Sequence, residues 1–320
     1  MVDVDLTTDL LSRQRDVLRA LQLLSIQLPA DRWCVVGGMM VLIAARAEGR
    51  QLPRAEQTKD ADVLVDVCVH PGVLSQAADV LTGLGYGHPE PGWYDDAVAR
   101  CTFVSGMAQI DLLGPDDSPA EDLATANGVT RLAIPGGRRA LETAQPVRIT
   151  YDLDRRDVEI PVPLLPGAIA VKAAAALDPR TSGERRHAQD VAALLDIIDD
   201  PLKVRAAMSD ADVELLGRLS GRLYDDGDPA WDAIPAPDRQ EGQAALRPFW
   251  AARVCSYSRR ASVGPILAAA AISAQVAPAL RAVSMASHRC RRIRSSNSRR
   301  AAKDGMWGPP RFSRKTAAVT

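Results

Sequence analysis

The chain has 320 residues, of which 47% are hydrophobic and 25% are charged, so it can bury a sizeable core. This composition excludes a collagen, a coiled coil and a fully disordered chain. Aromatic residues make up only 4% of the chain, which disfavours a protein that reads single-stranded nucleic acid mainly by stacking on its bases.

The net charge of −1 conceals an uneven distribution. From Arg253 to Thr320 there are 14 basic residues and one acidic residue, whereas the first 252 residues hold 25 basic and 39 acidic residues. This asymmetry predicts an acidic folded body followed by a basic, Arg/Ser-rich, disordered tail. The tail either contacts RNA electrostatically or is an extension without function.

Cysteines and leader patterns indicate a cytoplasmic protein. The five cysteines form no CxxC pair, and the acidic start MVDVDLTTDL lacks a signal-peptide pattern. The Ala-rich stretch 263–283 contains Gln275, Pro278 and Arg281, which disfavours a membrane-spanning helix there. We therefore expect no membrane partner.

The first half of the chain alternates helical and strand patterns. Apolar spacing and turn residues predict, in order, a helix within 5–28, a strand at 33–36, a helix from Met39, a strand at 60–67, a helix at 71–84, hairpin strands at 97–104 and 107–113 around a Ser105-Gly106 turn, and short strands at 130–134, 147–151 and 158–162.

The second half is helical. Its patterns predict helices at 166–177, 184–198, 201–208 and 210–223. We therefore expect an α+β protein with three parts: a mixed-sheet core flanked by helices at 1–165, a helical subdomain at 166–252, and the basic tail at 253–320.

Two glycines follow the first buried strand and precede a helix. Gly37 and Gly38 at this junction would let a phosphate approach the backbone N–H groups of the helix N-terminus. The same pair also serves as ordinary turn chemistry, so both interpretations stay open.

Three aspartates are candidate metal ligands. Asp60 and Asp62 open a strand two positions apart, so both carboxylates point to the same side, and such oxygens suit Mg²⁺. Asp111 lies in the apolar second arm of the hairpin and becomes a third ligand if that arm pairs beside 60–67. A solvated strand edge and a rim position are the ordinary alternatives.

Two charged residues of the helical half are further candidates. Lys172 lies in the apolar stretch AIAVKAAAAL, where a lysine either extends to solvent or is held for an anion. Asp190 follows Arg186 by four residues, a spacing that also suits an ordinary ion pair on a helix face.

Together these features resemble the nucleotidyltransferase fold of the polymerase-β-like superfamily, and within it the AbiEii/type IV toxin group. The resemblance spans residues 33–198. The matching stretches are VVGGMMVLIAA (35–45), TKDADVLVDV (58–67), RCTFVSGMAQIDLLGP (100–115), LLPGAIAVKAAAAL (164–177) and RRHAQDVAALL (185–195).

The resemblance assigns a role to each candidate. It implies that Gly37 and Gly38 cradle the nucleotide phosphates, that Asp60 and Asp62 bind metal, and that Asp111 helps to bind metal and to activate the acceptor hydroxyl. We expect two Mg²⁺ ions between the three carboxylates. By the same resemblance Lys172 contacts the phosphates and Asp190 is the acidic residue of the last family motif. Thr58 and Lys59, beside the carboxylates, either contact phosphate or complete the loop.

The chain departs from the family at two points. Gly38 stands where many relatives have serine, which removes one hydroxyl contact, and Arg186-His187 stands where they have Lys-Asp.

The resemblance implies transfer of a nucleoside monophosphate from an NTP to the 3′ end of tRNA by a toxin with a cognate antitoxin. A small-molecule acceptor, as in antibiotic nucleotidyltransferases of the same fold, and a non-catalytic nucleotide-binding relative are the alternatives.

Overall fold

A computed structural model describes residues 1–7, 10–51, 58, 60–90, 99–118, 129, 131–151, 157–179 and 183–249. Lys59 and the whole basic tail, including the stretch 263–283, lie outside these residues. Residues 1–254 form one contact unit, which therefore contains both the predicted core and the predicted helical subdomain.

The first sheet carries the candidate carboxylates. Its strands are β2 (Trp33–Val36), β3 (Asp60–Val65), β4 (Thr102–Ser105), β5 (Ala108–Pro115) and β6 (Leu132–Ile134). The order is β2-β3-β5-β4, and β6 also pairs with β5. Because β3 and β5 run parallel while β2 is antiparallel to β3 and β4 to β5, the sheet is mixed.

A second, three-stranded sheet packs beside the first. Its order is β1 (Val2–Asp5), β7 (Ala144–Thr150) and β8 (Asp157–Pro163), with β1 parallel to β7 and β7 antiparallel to β8. Strand β8 contacts both β2 and the first helix. The two sheets therefore share one apolar core.

Nine α-helices occur among the described residues. They are α1 (Ser12–Gln27), α2 (Gly37–Ala47), α3 (Val73–Gly83), α4 (Gly137–Thr143), α5 (Leu165–Leu177), α6 (Glu184–Asp196), α7 (Pro201–Ala206), α8 (Asp210–Leu223) and α9 (Ala236–Ala245).

Helix α5 is the central helix of the second half. It is apolar on nearly every side, as a helix surrounded by protein must be. It packs against α2, α4, α6 and α8. A charged residue on this helix is therefore enclosed and needs a partner.

The predicted α+β class, a mixed sheet flanked by helices and followed by helices, is confirmed. The hairpin turn lies one residue later than predicted, because Ser105 pairs with Ala108 and leaves Gly106-Met107 as the two-residue loop. Gly106 takes the positive φ of 58° that this tight turn requires.

Other boundaries also differ from the predictions. Strand β1 and helices α4 and α9 were not predicted, and the first helix occupies Ser12–Gln27 of the predicted region 5–28. None of the helices described above is long and apolar enough to cross a bilayer.

Candidate active site

The three candidate carboxylates lie on one face of two neighbouring strands. Asp62 on β3 is the register partner of Asp111 on β5, and Asp60 is the partner of Gln109. Partners on parallel strands point to the same side, and positions two apart on one strand share a face. The structure therefore brings Asp60, Asp62 and Asp111 together, and all three are partly buried.

The diglycine bend directly adjoins these carboxylates. Val36, the last residue of β2, is the register partner of Asp62, so the chain enters α2 next to that side chain. Gly37 has φ 68°, and a Cβ atom there would overlap Oδ2 of Asp62. Only glycine combines this backbone conformation with so close an approach to the carboxylate.

Gly38 is confined by a different side chain. A Cβ atom on Gly38 would overlap Oγ1 of Thr58 and stand 3.1 Å from its Cβ. The Thr58 hydroxyl also donates to Oδ1 of Asp60 at 3.3 Å. Thr58 thus links the first turn of α2 to the carboxylate cluster.

Burial and neighbouring charge shift the pKa of Asp62 upward. Burial raises the pKa of Asp62 to about 7, with further upward contributions from Asp60 and Asp111. The nearby cations Lys172 and Arg186 act in the opposite direction. Negative charge is therefore crowded at this strand edge and is only partly compensated by the protein's own cations.

Asp111 is fixed by its neighbours. The Gln109 amide donates to both of its carboxylate oxygens, at 3.2 and 3.0 Å. Burial raises the pKa of Asp111, while hydrogen bonding by Thr102 and Gln109 lowers it. Gln109 was not predicted, although its position two residues before Asp111 on the same strand face is readable from the sequence.

Lys172 and Asp190 form a buried ion pair. Lys172 Nζ lies 2.8 Å from Asp190 Oδ2, and their side chains are only 5% and 7% exposed. Helices α5 and α6, which carry them, pack against each other. The sequence left two interpretations of Lys172 open, and the structure shows it enclosed rather than extended to solvent.

Arg186 is a second cation near the carboxylates. It is exposed on α6, and its Nη2 would lie 3.8 Å from a Cβ atom on Gly38. Its charge lowers the pKa of Asp62. The sequence indicated Arg186 as a helix-face partner of Asp190 and as part of the departure from the family's last motif, but not as a neighbour of the diglycine bend, because the approach of α6 to that bend is a tertiary feature.

The thiol of Cys101, close to Asp111, is not activated. Cys101 is buried, and burial together with the Asp111 charge raises its pKa to about 11. Cys34, Cys68 and Cys101 are all free. At neutral pH Cys101 is therefore a thiol with little nucleophilic character.

The carboxylate oxygens of Asp60, Asp62 and Asp111 suit a hard cation, but they are not arranged as a complete metal site. Across the described ranges, no three or more His, Cys, Asp or Glu side chains are grouped so that they could hold a metal ion. Mg²⁺ would nonetheless stabilise this set by neutralising the charge of Asp60 and Asp111, which raises the pKa of Asp62. Asp60, Asp62 and Asp111 are the residues that would hold it.

Comparison with protein-family models and with curated proteins finds no match for this chain.

Proposed function

We propose that the chain is a Mg²⁺-dependent nucleotidyltransferase that moves a nucleoside monophosphate from an NTP to an acceptor hydroxyl. One observation carries the proposal: Asp62 and Asp111 are register partners on parallel strands, directly beside the bend at Gly37. Carboxylates for a hard cation and a helix N-terminus for phosphate thus adjoin each other.

The carboxylates would bind the metal and orient the reactants. Bound Mg²⁺ would supply charge neutralisation on the triphosphate and a lower pKa for the attacking hydroxyl. Asp62 is poised for this role because its pKa of about 7 lets a cation displace its proton near neutral pH. Gln109 holds Asp111 through both oxygens, which fixes the direction of that carboxylate.

Positive groups near the carboxylates would contact the phosphates of the nucleotide. The N–H groups at the first turn of α2, at Gly37 and Gly38, have no acceptor within the helix and therefore suit an anion. Lys172 and Arg186 add charge that already acts on Asp62. Asp190 would act through Lys172 by holding its ammonium group in place. Positioning and charge stabilisation would supply most of the rate enhancement.

The acceptor that the resemblance implies is the 3′ end of tRNA, with an antitoxin as protein partner. A small-molecule hydroxyl is the second candidate, favoured by one observation. The first 252 residues carry 39 acidic and only 25 basic residues, and an acidic body binds a phosphodiester backbone poorly.

The proposal is tested with labelled NTPs, offered one at a time with Mg²⁺ or with EDTA. The purified chain is incubated with total cellular RNA or with panels of aminoglycosides and lincosamides. Label transferred to tRNA or to a small molecule, and lost with EDTA, supports the proposal and identifies the acceptor class. No transfer from any of the four NTPs to either panel contradicts it.

A further inference from the structure

A fully buried glutamine connects the first helix to the candidate active site. Gln14 lies in the first turn of α1 and is 0% exposed. Its Nε2 donates to the backbone carbonyl of Thr58 at 3.0 Å, across 44 residues of sequence. Its Oε1 accepts from the backbone N–H of Leu11 at 2.8 Å, just before the helix begins. Both ends of the amide are therefore used.

Gln14 holds Thr58, and Thr58 contacts both the carboxylates and the diglycine bend of the candidate site. The Thr58 side chain donates to Asp60 and fills the space above Gly38. Thr58 is only 5% exposed, so its position is set by protein contacts rather than by solvent. A shift of its backbone would move the hydroxyl away from Asp60 and from the first turn of α2.

We propose that Gln14 is a positioning residue, whose amide fixes Thr58 so that its hydroxyl orients Asp60 for metal binding. The role in metal binding rests on the proposed function. The hydrogen bond by which Gln14 holds Thr58, called the clamp below, is independent of that function. Removing a group that hydrogen-bonds directly to a metal ligand, as Thr58 does to Asp60, typically changes metal affinity or activity by about 10–100-fold. Loss of the Gln14 bond displaces Thr58, so we expect an effect within that range.

Gln14→Glu separates the two hydrogen bonds. When ionised, the carboxylate still accepts from Leu11 and so preserves the start of α1, but it has no hydrogen to donate to the Thr58 carbonyl. Because burial favours the protonated acid, whose O–H restores that bond, Gln14→Glu is compared at neutral and at alkaline pH, and its effect should appear as the carboxyl group ionises. Gln14→Met removes both bonds without adding charge, and we expect it to act in the same direction.

Gln22→Glu is the matched control. Gln22 lies on the same helix, its Nε2 donates to the backbone carbonyl of Asp157 at 3.2 Å, and its Oε1 accepts from the Tyr151 hydroxyl at 2.8 Å. The same substitution therefore removes the same kind of bond to β8, away from the carboxylates.

The first measurement is hydrogen exchange of the full chain without nucleotide. We expect peptides that contain Thr58 to exchange faster in Gln14→Glu and Gln14→Met than in wild type, and at the wild-type rate in Gln22→Glu. Unchanged exchange in both Gln14 variants would overturn the clamp, whether or not the protein transfers nucleotides.

The second measurement is the Mg²⁺ concentration for half-maximal nucleotide transfer. It should rise about 10–100-fold in the Gln14 variants and stay unchanged in Gln22→Glu. Faster exchange with an unchanged Mg²⁺ requirement would overturn the positioning role and leave Gln14 purely structural. If wild type transfers no nucleotide, the proposed function fails, and Mn²⁺ affinity is measured in place of the Mg²⁺ requirement. An affinity about 10–100-fold lower in the Gln14 variants than in wild type supports the positioning role. Equal affinity, or no binding by wild type, overturns it.

Discussion

Lys172 Nζ lies 2.8 Å from Asp190 Oδ2, inside the contact between α5 and α6. This pair affects both stability and activity, because Lys172, which would contact phosphate, is also a buried charge that needs a neutralising partner. Removing either partner alone leaves the other buried charge without the contact that lies closest to it in this pair.

We predict that Lys172→Met lowers the free energy of unfolding by about 3–5 kcal/mol. The double variant Lys172→Met/Asp190→Leu removes both charges and should recover most of that loss, yet remain inactive in transfer. Denaturant unfolding and the labelled-NTP assay measure the two effects. Arg148→Met, which breaks an exposed pair with Glu159 at 3.0 Å, is the control and should change stability little.

An active double variant would show that the Lys172–Asp190 pair serves the core alone. A double variant as unstable as Lys172→Met would show that the loss comes from packing rather than from the broken ion pair.

The raised pKa of Asp62 predicts a pH-dependent stability. Its folded pKa is about 7 and its ordinary value is 3.8, so between these values the folded state retains a proton that the unfolded state releases. Stability is therefore lost as the pH rises from about 4 to about 7. Asp62→Asn keeps the neutral form throughout and escapes this loss.

We expect the Tm of Asp62→Asn to exceed that of wild type by a margin that is small at pH 4, grows up to pH 7 and then stays constant. The margin should be about 2–4 °C for each kcal/mol regained. Adding Mg²⁺ at pH 8 should raise the Tm of wild type but not of Asp62→Asn. A margin that is the same at pH 4 and pH 8 would contradict the assigned pKa.

The close approach of Thr58 to Gly38 predicts that Thr58→Ala partly restores the stability that Gly38→Ala removes. Gly38→Ala places a methyl group against the Thr58 hydroxyl, so it should displace Thr58 and reduce transfer at least about tenfold, because small misplacements at a reacting site are costly. Thr58→Ala removes that hydroxyl, so Gly38→Ala/Thr58→Ala should unfold at a higher Tm than Gly38→Ala.

The matched control for this prediction is Gly83→Ala on α3, where an added Cβ meets nothing within 4 Å. It should leave transfer unchanged and stability equal or slightly higher. If Thr58→Ala lowers the Tm by the same amount with and without Gly38→Ala, the two sites are not coupled.

Part of this architecture is readable from the sequence because it is local. Strand alternation puts Asp60 and Asp62 on one face, and Gly37-Gly38 marks the end of a buried strand before a helix. The fold class follows from the order of such patterns. What could not be read is long-range: Gln14 meets Thr58 across 44 residues, and the four-residue strand β1 is fixed by parallel pairing to β7 far along the chain.

We propose that Asp60, Asp62 and Asp111 together hold a metal ion with an NTP. Electron paramagnetic resonance of free Mn²⁺, titrated with the protein and each NTP in turn, measures that binding directly. Wild type should bind Mn²⁺ more tightly with an NTP than without. Asp62→Asn should lose about 100-fold in affinity, equivalent to about 2.7 kcal/mol, while the exposed-site control Glu159→Gln keeps the wild-type value. Equal Mn²⁺ affinity in wild type and Asp62→Asn would contradict the claim.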